Sequence, residues 1–215
     1  MAEPTLSYHA KLAREKRNAV INAAVDLFLE RGYERTSLQD IAKAAGISTG
    51  TIFKHFPTKA ALFGEIMARV WEATPEAVPL VPAAGNARAG LTLIGQEYAR
   101  LLRQPNIEPL FRVIIAEAPR FPELGQALYE QGKKPYLDRL HAYLAAETGS
   151  GALEIDDIPL AARQFLGMIN DVIFWPRFLV VDLVVTDKEV TRVVDGAVET
   201  FLARYGRSGI LPPNL

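Results

Sequence analysis

No cysteine occurs among the 215 residues, which removes disulfide frameworks, thiolate metal sites and cysteine nucleophiles and fits a reducing compartment. Histidine is nearly as scarce. His9, His55 and His141 stand in no metal-ligand spacing such as HExxH. Long apolar runs are missing too: the longest, over residues 172–185, contains Pro176, Arg177 and Asp182 and falls short of the ~20 residues that cross a bilayer. No charged-then-apolar segment opens the chain, so a secreted protein is not expected. Residues 85–90 have the glycine spacing of a phosphate-binding loop, but Leu91 stands where that loop needs lysine, and no strand precedes it. The carboxylates Asp156 and Asp157 fall at a helix start, where capping accounts for them. These absences predict a cytoplasmic protein that is not an enzyme, takes no cofactor or metal, and has no membrane partner.

What is present is an ordinary globular composition, 49% hydrophobic and 23% charged with a net charge of −1. The charge is unevenly placed. Residues 1–59 hold nine Lys/Arg against six Asp/Glu, and the remainder holds fifteen against nineteen. A phosphate-seeking surface would therefore lie near the N-terminus.

Apolar periodicity predicts an all-α fold of about nine helices. Over residues 10–31, Val20, Ala24, Leu27 and Phe28 share a face that ends at Gly32. Thr36 or Ser37 caps a short helix carrying Leu38, Ile41, Ala42 and Ala45, closed by Gly46. Ser48 starts another, through His55, and Pro57 ends it. Thr58 caps a fourth, over residues 59–73. A loop rich in Pro and Gly over residues 74–85 comes next, then helices near 86–104, 106–118, 122–147, 158–175 and 188–205. Residues 178–185 are rich in β-branched side chains but have no strand to pair with, and are expected as a helix end and buried loop.

The second and third helices, joined through Gly46 and Ile47, have the pattern of a helix-turn-helix. At 100° per residue Ile52 and Phe56 share the buried face, leaving Gly50, Thr51 and Lys54 outward with Thr49 and Phe53 on the flanks. Small, hydroxylated and cationic residues suit a major groove about 12 Å wide. Ser48 and the N–H groups behind it suit a phosphate.

The series Ile21-Asn22-Ala23-Ala24, Leu27-Phe28, Gly32-Tyr33, Thr36-Ser37, Ile41-Ala42, Ala45-Gly46, Ser48, Gly50-Thr51-Ile52-Phe53, His55-Phe56, Lys59 and Leu62-Phe63 resembles the DNA-binding domain of TetR-family bacterial regulators, without a gap over about residues 14–63. The resemblance implies an N-terminal DNA-binding domain over residues 10–58 and a C-terminal ligand-binding and dimerisation domain over 59–210. It implies base contacts from Thr49, Gly50, Lys54 and Phe53, and phosphate contacts from Thr36, Ser37, Ser48, His55 and Lys59. Phe53 departs from the pattern, because the family usually has tyrosine there; phenylalanine cannot bond a phosphate but can pack against a thymine methyl. Arg14, Lys16 and Arg17 could add attraction to DNA.

In the C-terminal half, residues 111–124 (FRVIIAEAPRFPEL), Gln164 to Gly167 and residues 197–206 are similar to the AefR-like branch of that family. The expected partners are palindromic double-stranded DNA, a small-molecule effector and a second copy of the chain. Candidate effector residues are Trp71, Tyr98, Phe111, Ile115, Phe121, Phe165, Met168 and Trp175, with Asn170, Asp171 and Glu117 as polar groups to orient it; core packing is the competing account of the apolar ones. Apolar residues on more than one face of the last two helices suggest a four-helix interface across a twofold axis. A repressor released by its effector is the reading the family implies, with a regulator answering to a protein partner as the alternative.

Overall fold

The computed structural model describes residues 8–71, 85–180 and 182–207. The predicted loop over 74–85 lies outside these except for Gly85, as do the predicted end of the fourth helix and residues 208–210. The described residues are helical, apart from turns and an isolated antiparallel bridge between Leu153 and Gly206. The helices are α1 (Tyr8–Arg31), α2 (Leu38–Ala44), α3 (Thr49–His55), α4 (Lys59–Trp71), α5 (Ala87–Leu102), α6 (Ile107–Glu117), α7 (Pro122–Ala127), α8 (Lys134–Gly149), α9 (Ile158–Ile173), the single turn α10 (Pro176–Leu179) and α11 (Asp187–Tyr205). The predicted helix over 122–147 is divided, because a π-helical turn, Leu128–Lys133, separates α7 from α8. The remaining predicted helices are present.

Two compact units form, Met1–Arg69 with Pro109–Gly132 and Val70–Glu108 with Lys133–Leu215. They do not follow a division after residue 58. Aromatic packing explains why most of α4 and the start of α7 join α1 to α3. Phe63 of α4 lies 5.8 Å from Phe28 and 5.6 Å from Tyr33, ring centre to ring centre, and Phe121 lies 5.3 Å from Tyr33. Phe28, Tyr33, Leu62, Phe63 and Ile66 are buried.

Local chemistry sets the helix ends of the first unit. Gly32 and Gly46 adopt φ of +83° and +67°, the left-handed backbone that stops α1 and turns α2 into α3. Ser37 and Asp40 form a reciprocal capping box at α2, Ser48 caps α3, and Thr58 accepts the Ala61 N–H at 3.0 Å.

In the second unit α5 crosses α9 and α11 at Gly95, where an added methyl would lie 2.8 Å from Val194 and 3.2 Å from Ile169. Phe165, Leu166, Ile169, Ile173, Val190, Val194, Ala197, Val198 and Phe201 fill this core. Most of the apolar surface that suggested an interface between copies is thus buried within one chain. Val172 and Leu160 remain exposed, and Val193 half-buried. The segment expected as a buried loop is instead open: Leu179 is 87% exposed and Val184 77%. Fully buried Glu147 accepts the Gly85 N–H at 2.9 Å ahead of α5.

Candidate nucleic-acid interface

Helix α3 has seven residues, of which only Ile52 is buried; Phe56, which ends it, is buried as well. Thr49, Gly50, Phe53, Lys54 and His55 face solvent, and Thr51 is half-buried. The Ser48 hydroxyl accepts the Thr51 N–H at 3.2 Å and lies 2.8 Å from the Thr51 hydroxyl, fixing the first turn. Beside α3 lies an open groove of about 410 Å³ lined by Glu34 to Gln39, Phe53, Pro57, Thr58 and Lys59. Phe53, 41% exposed, belongs to its wall.

Two residues expected at phosphates are directed inward. Thr36 is 1% exposed, and its hydroxyl donates to the Gly32 carbonyl at 2.8 Å, so it closes the end of α1. Lys59 donates to the carbonyls of Tyr33, Glu34 and Thr36 at 2.5, 3.3 and 2.8 Å, with its ammonium 4.3 Å from the centre of the Tyr33 ring. Burial lowers the pKa of that ammonium, while Glu117, Glu123 and Glu34 act to raise it. Ser37 is half-exposed, but its hydroxyl donates to Asp40 at 2.5 Å and accepts the Asp40 N–H at 3.1 Å. Arg17 is paired with Glu65 at 2.7 Å and lies over the Phe56 ring, whereas Arg14 and Lys16 are exposed. Arg35 and Gln39 line the groove without having been singled out in the sequence, and Thr58, expected as a helix cap, lines it as well. Arg35 was legible as a cation four residues past Arg31, whose carbonyl it binds at 2.9 Å.

The residues proposed for an effector are divided between the two units. Glu117 and Phe121 belong to the first unit, where Glu117 accepts the N–H groups of Tyr33 and Glu34 at 2.7 and 2.8 Å. Ile115, 55% exposed, Asp171 and Trp175 face solvent. Phe111, Met168 and Asn170 are not core, whereas Phe165 is fully buried. Trp71 and Tyr98 do gather in the second unit, on either side of Tyr136 at 6.2 and 5.5 Å between ring centres. Burial raises the pKa of both tyrosines. Trp71, Tyr136, Glu97, Arg100, Leu101 and Gln104 line a cleft of about 10 Å³, and the buried Trp71 indole N–H has no hydrogen-bond partner among the described residues. Sequence periodicity marked neither Tyr136 nor this N–H.

A capped helix-turn-helix with a cationic, hydroxylated and glycine-bearing recognition helix, in a chain that goes on to form a second helical unit, defines a DNA-binding regulator. The family models agree. That of bacterial regulatory proteins of the tetR family matches residues 20–66, and that of the AefR-like transcriptional repressor C-terminal domain matches residues 89–207. The chain belongs to the TetR family of DNA-binding transcriptional regulators, which are not enzymes.

A crystal structure of a TetR-family regulator from Mesorhizobium loti is 32% identical, with a TM-score of 0.77, covering 91% of this chain and 98% of that one. The flavonoid-responsive regulator FrrA is 28% identical, with a TM-score of 0.73, covering 90% and 98% respectively. The transcriptional regulator AcrR of Shigella flexneri is 45% identical over 60 residues, which are 28% of this chain. That match spans about a quarter (26%) of AcrR's own length. No helix among the described residues is long and apolar enough to cross a membrane.

Proposed function

We propose that the chain is a homodimeric cytoplasmic repressor that leaves a palindromic operator when a small molecule binds its second unit. The observation that carries this reading is the outer surface of α3, where Thr49, Gly50, Phe53 and Lys54 all face solvent on a helix held from behind by Ile52. Thr49, Gly50 and Lys54 would meet base edges and Phe53 a thymine methyl. Ser48, His55 and Arg35 would meet phosphates. Thr36, Ser37 and Lys59 would serve the interface from within, by fixing the backbone that presents it. Two copies would reach half-sites roughly 34 Å apart.

Support for the second copy comes from the α9–α11 face. Met168, Val172, Val193, Ala197 and Thr200 line a groove of about 330 Å³ there, and Leu160, earlier on α9, is exposed. Support for an effector comes from the Trp71–Tyr136–Tyr98 cluster, since a buried indole N–H without a partner favours a ligand that offers an acceptor. The cleft as it stands admits about one water, so such a ligand would have to displace side chains at its rim. A planar aromatic acceptor suits these rings, as does the likeness to a flavonoid-responsive regulator. A protein partner in place of the effector is the second reading, favoured by exposed Trp175, Leu179, Val180 and Val184.

The test is a salt series of binding to the DNA upstream of the chain's own gene, against scrambled DNA of equal length. Binding at least ~10³-fold tighter to the first, with a steep salt slope, is expected. Equal affinity for both, at every salt concentration, refutes the specific reading. Titrating flavonoids into the bound complex tests that ligand class: release supports it, and unchanged binding rejects it.

A further inference from the structure

The turn between α1 and α2 is gripped from two sides. On its amide side, Glu117 Oε1 accepts Tyr33 N–H at 2.7 Å and Oε2 accepts Glu34 N–H at 2.8 Å. On its carbonyl side, Lys59 Nζ donates to Tyr33, Glu34 and Thr36. Around this pair, Arg120 holds the Glu34 carboxylate with two bonds of 2.6 Å, and the Tyr33 hydroxyl donates to Glu123 at 3.4 Å. Glu117, Arg120 and Glu123 come from the end of α6 and the start of α7, more than 80 positions away in the chain.

Water could serve the exposed Glu34 N–H, so satisfying the hydrogen bonds of this turn does not by itself require one carboxylate on both amides. A carboxylate with each oxygen on a separate amide, at charge-assisted lengths, fixes position as well. Glu117 reaches the turn because residue 32 lacks a side chain: a Cβ there would lie 2.6 Å from its Oε1. Along the chain, α6 begins within the second unit, at Ile107, and the segment returns to that unit at Lys133. The grip on the turn therefore belongs to a segment whose two ends both continue into the second unit.

We propose that Glu117 is a positioning residue for DNA binding: acting against Lys59, it sets the α1–α2 turn and through it the placement of α2 and α3, so that operator affinity answers to α6 and α7 as well as to α4. The inference rests on the DNA-reading role of α3. Glu117 itself contributes nothing to the outer surface of that helix; it acts through backbone.

The experiment uses the full chain as Glu117→Gln, Lys59→Met and the double variant. Binding is measured to a duplex selected by the wild-type chain from a random library, with a scrambled duplex as control and amide hydrogen exchange as a second readout. In the same rotamer the amide keeps one acceptor oxygen for one of the two N–H groups and turns an NH2 donor toward the other. Glu117→Gln should weaken selected-duplex binding about tenfold, the worth of one such bond. Exchange at Tyr33 and Glu34 should quicken, while Ile52 stays protected. The double variant should lose less than the two single losses multiplied, by more than about twofold, because both act on one turn.

If Glu117→Gln or Lys59→Met is too unstable to assay, the exposed Arg120→Ala variant should show the same direction of change more weakly. Wild-type affinity in a folded Glu117→Gln chain whose melting temperature alone has dropped would show mere structural support and overturn the proposal, as would strictly multiplicative losses. A wild-type chain that selects no duplex overturns the DNA reading itself; protection at Tyr33 and Glu34 that vanishes in Glu117→Gln would then still establish the clasp.

Discussion

Gly32 and Gly46 offer a controlled comparison. Both have positive φ, +83° and +67°, and alanine in that backbone costs about 1–2 kcal/mol. Each substitution recovers about 0.4–1 kcal/mol by restricting the unfolded chain. A Cβ at Gly46 meets nothing within 4 Å, so Gly46→Ala should destabilise by no more than about 1.6 kcal/mol on the same figures. A Cβ at Gly32 lies 2.6 Å from Glu117 Oε1. That oxygen can move away, but only by giving up the Tyr33 amide, a bond to a charged group worth about 1.5–3 kcal/mol. Gly32→Ala should therefore lose about 1.5–3 kcal/mol more than its counterpart. Urea unfolding at neutral pH measures both, and a Glu117→Ala background supplies the control, because without the carboxylate the two glycine substitutions should cost the same. Equal losses in the wild-type background, or a gap that survives in Glu117→Ala, refute the reasoning.

The same geometry fixes the outcome of three further perturbations. The Ser37 hydroxyl and N–H hold the Asp40 carboxyl below its ordinary pKa; its contribution to stability is complete above about pH 4 and fades as pH falls toward the lowered folded value. Acid unfolding of Asp40→Asn should accordingly show a shallower decline below that pH, and an unchanged profile would count against the box. Arg35→Ala should reduce the slope of log affinity against log salt by about one phosphate contact, whereas Lys54→Ala should chiefly lower the ratio of specific to scrambled binding; the reverse pattern in the two variants would exchange their roles. Thr36→Val should cost about 1–3 kcal/mol of stability by leaving the Gly32 carbonyl without its donor; a loss confined to DNA affinity, with stability intact, would return Thr36 to the phosphate-contact role.

The end of α1, both ends of α2 and α3 and the start of α4 were legible because each is set by residues within four positions: glycine for a left-handed backbone, serine or threonine for a cap, proline for a stop. The outward face of α3 could be read from periodicity for a similar reason, since Ile52 and Phe56 could only point one way. Direction at a helix edge was not legible. Thr36 and Lys59 stand where a phosphate contact would stand, and only the neighbouring carbonyls of Gly32, Tyr33 and Thr36 draw them inward. Nor was Glu117, because a bond made 84 positions along the chain leaves no periodic trace. The break between α7 and α8 escaped for another reason. Its apolar residues continue at plausible spacing, while the π turn adds a residue and rotates the helix beyond it by about 100°. Leu124 and Ala127 of α7 serve the first unit, and Tyr136 and Leu140 of α8 the second.

The shortness of α3 gives this arrangement its consequence. Isolated helices below about 12 residues are marginal in water, and α3 has seven, with one buried side chain of its own. Its position is therefore set by its surroundings, the turn at Gly46, Phe56 behind it and α2 before it, and α2 in turn starts at the end of the gripped segment. Elements so weakly self-determined respond to small forces. A coupling of about 1–3 kcal/mol, enough to change affinity roughly 5- to 150-fold, is comparable to one or two charge-assisted hydrogen bonds. Glu117 makes two such bonds to the turn. A change at α6 need not deform the reading surface to alter DNA affinity; loosening one carboxylate supplies energy on the required scale.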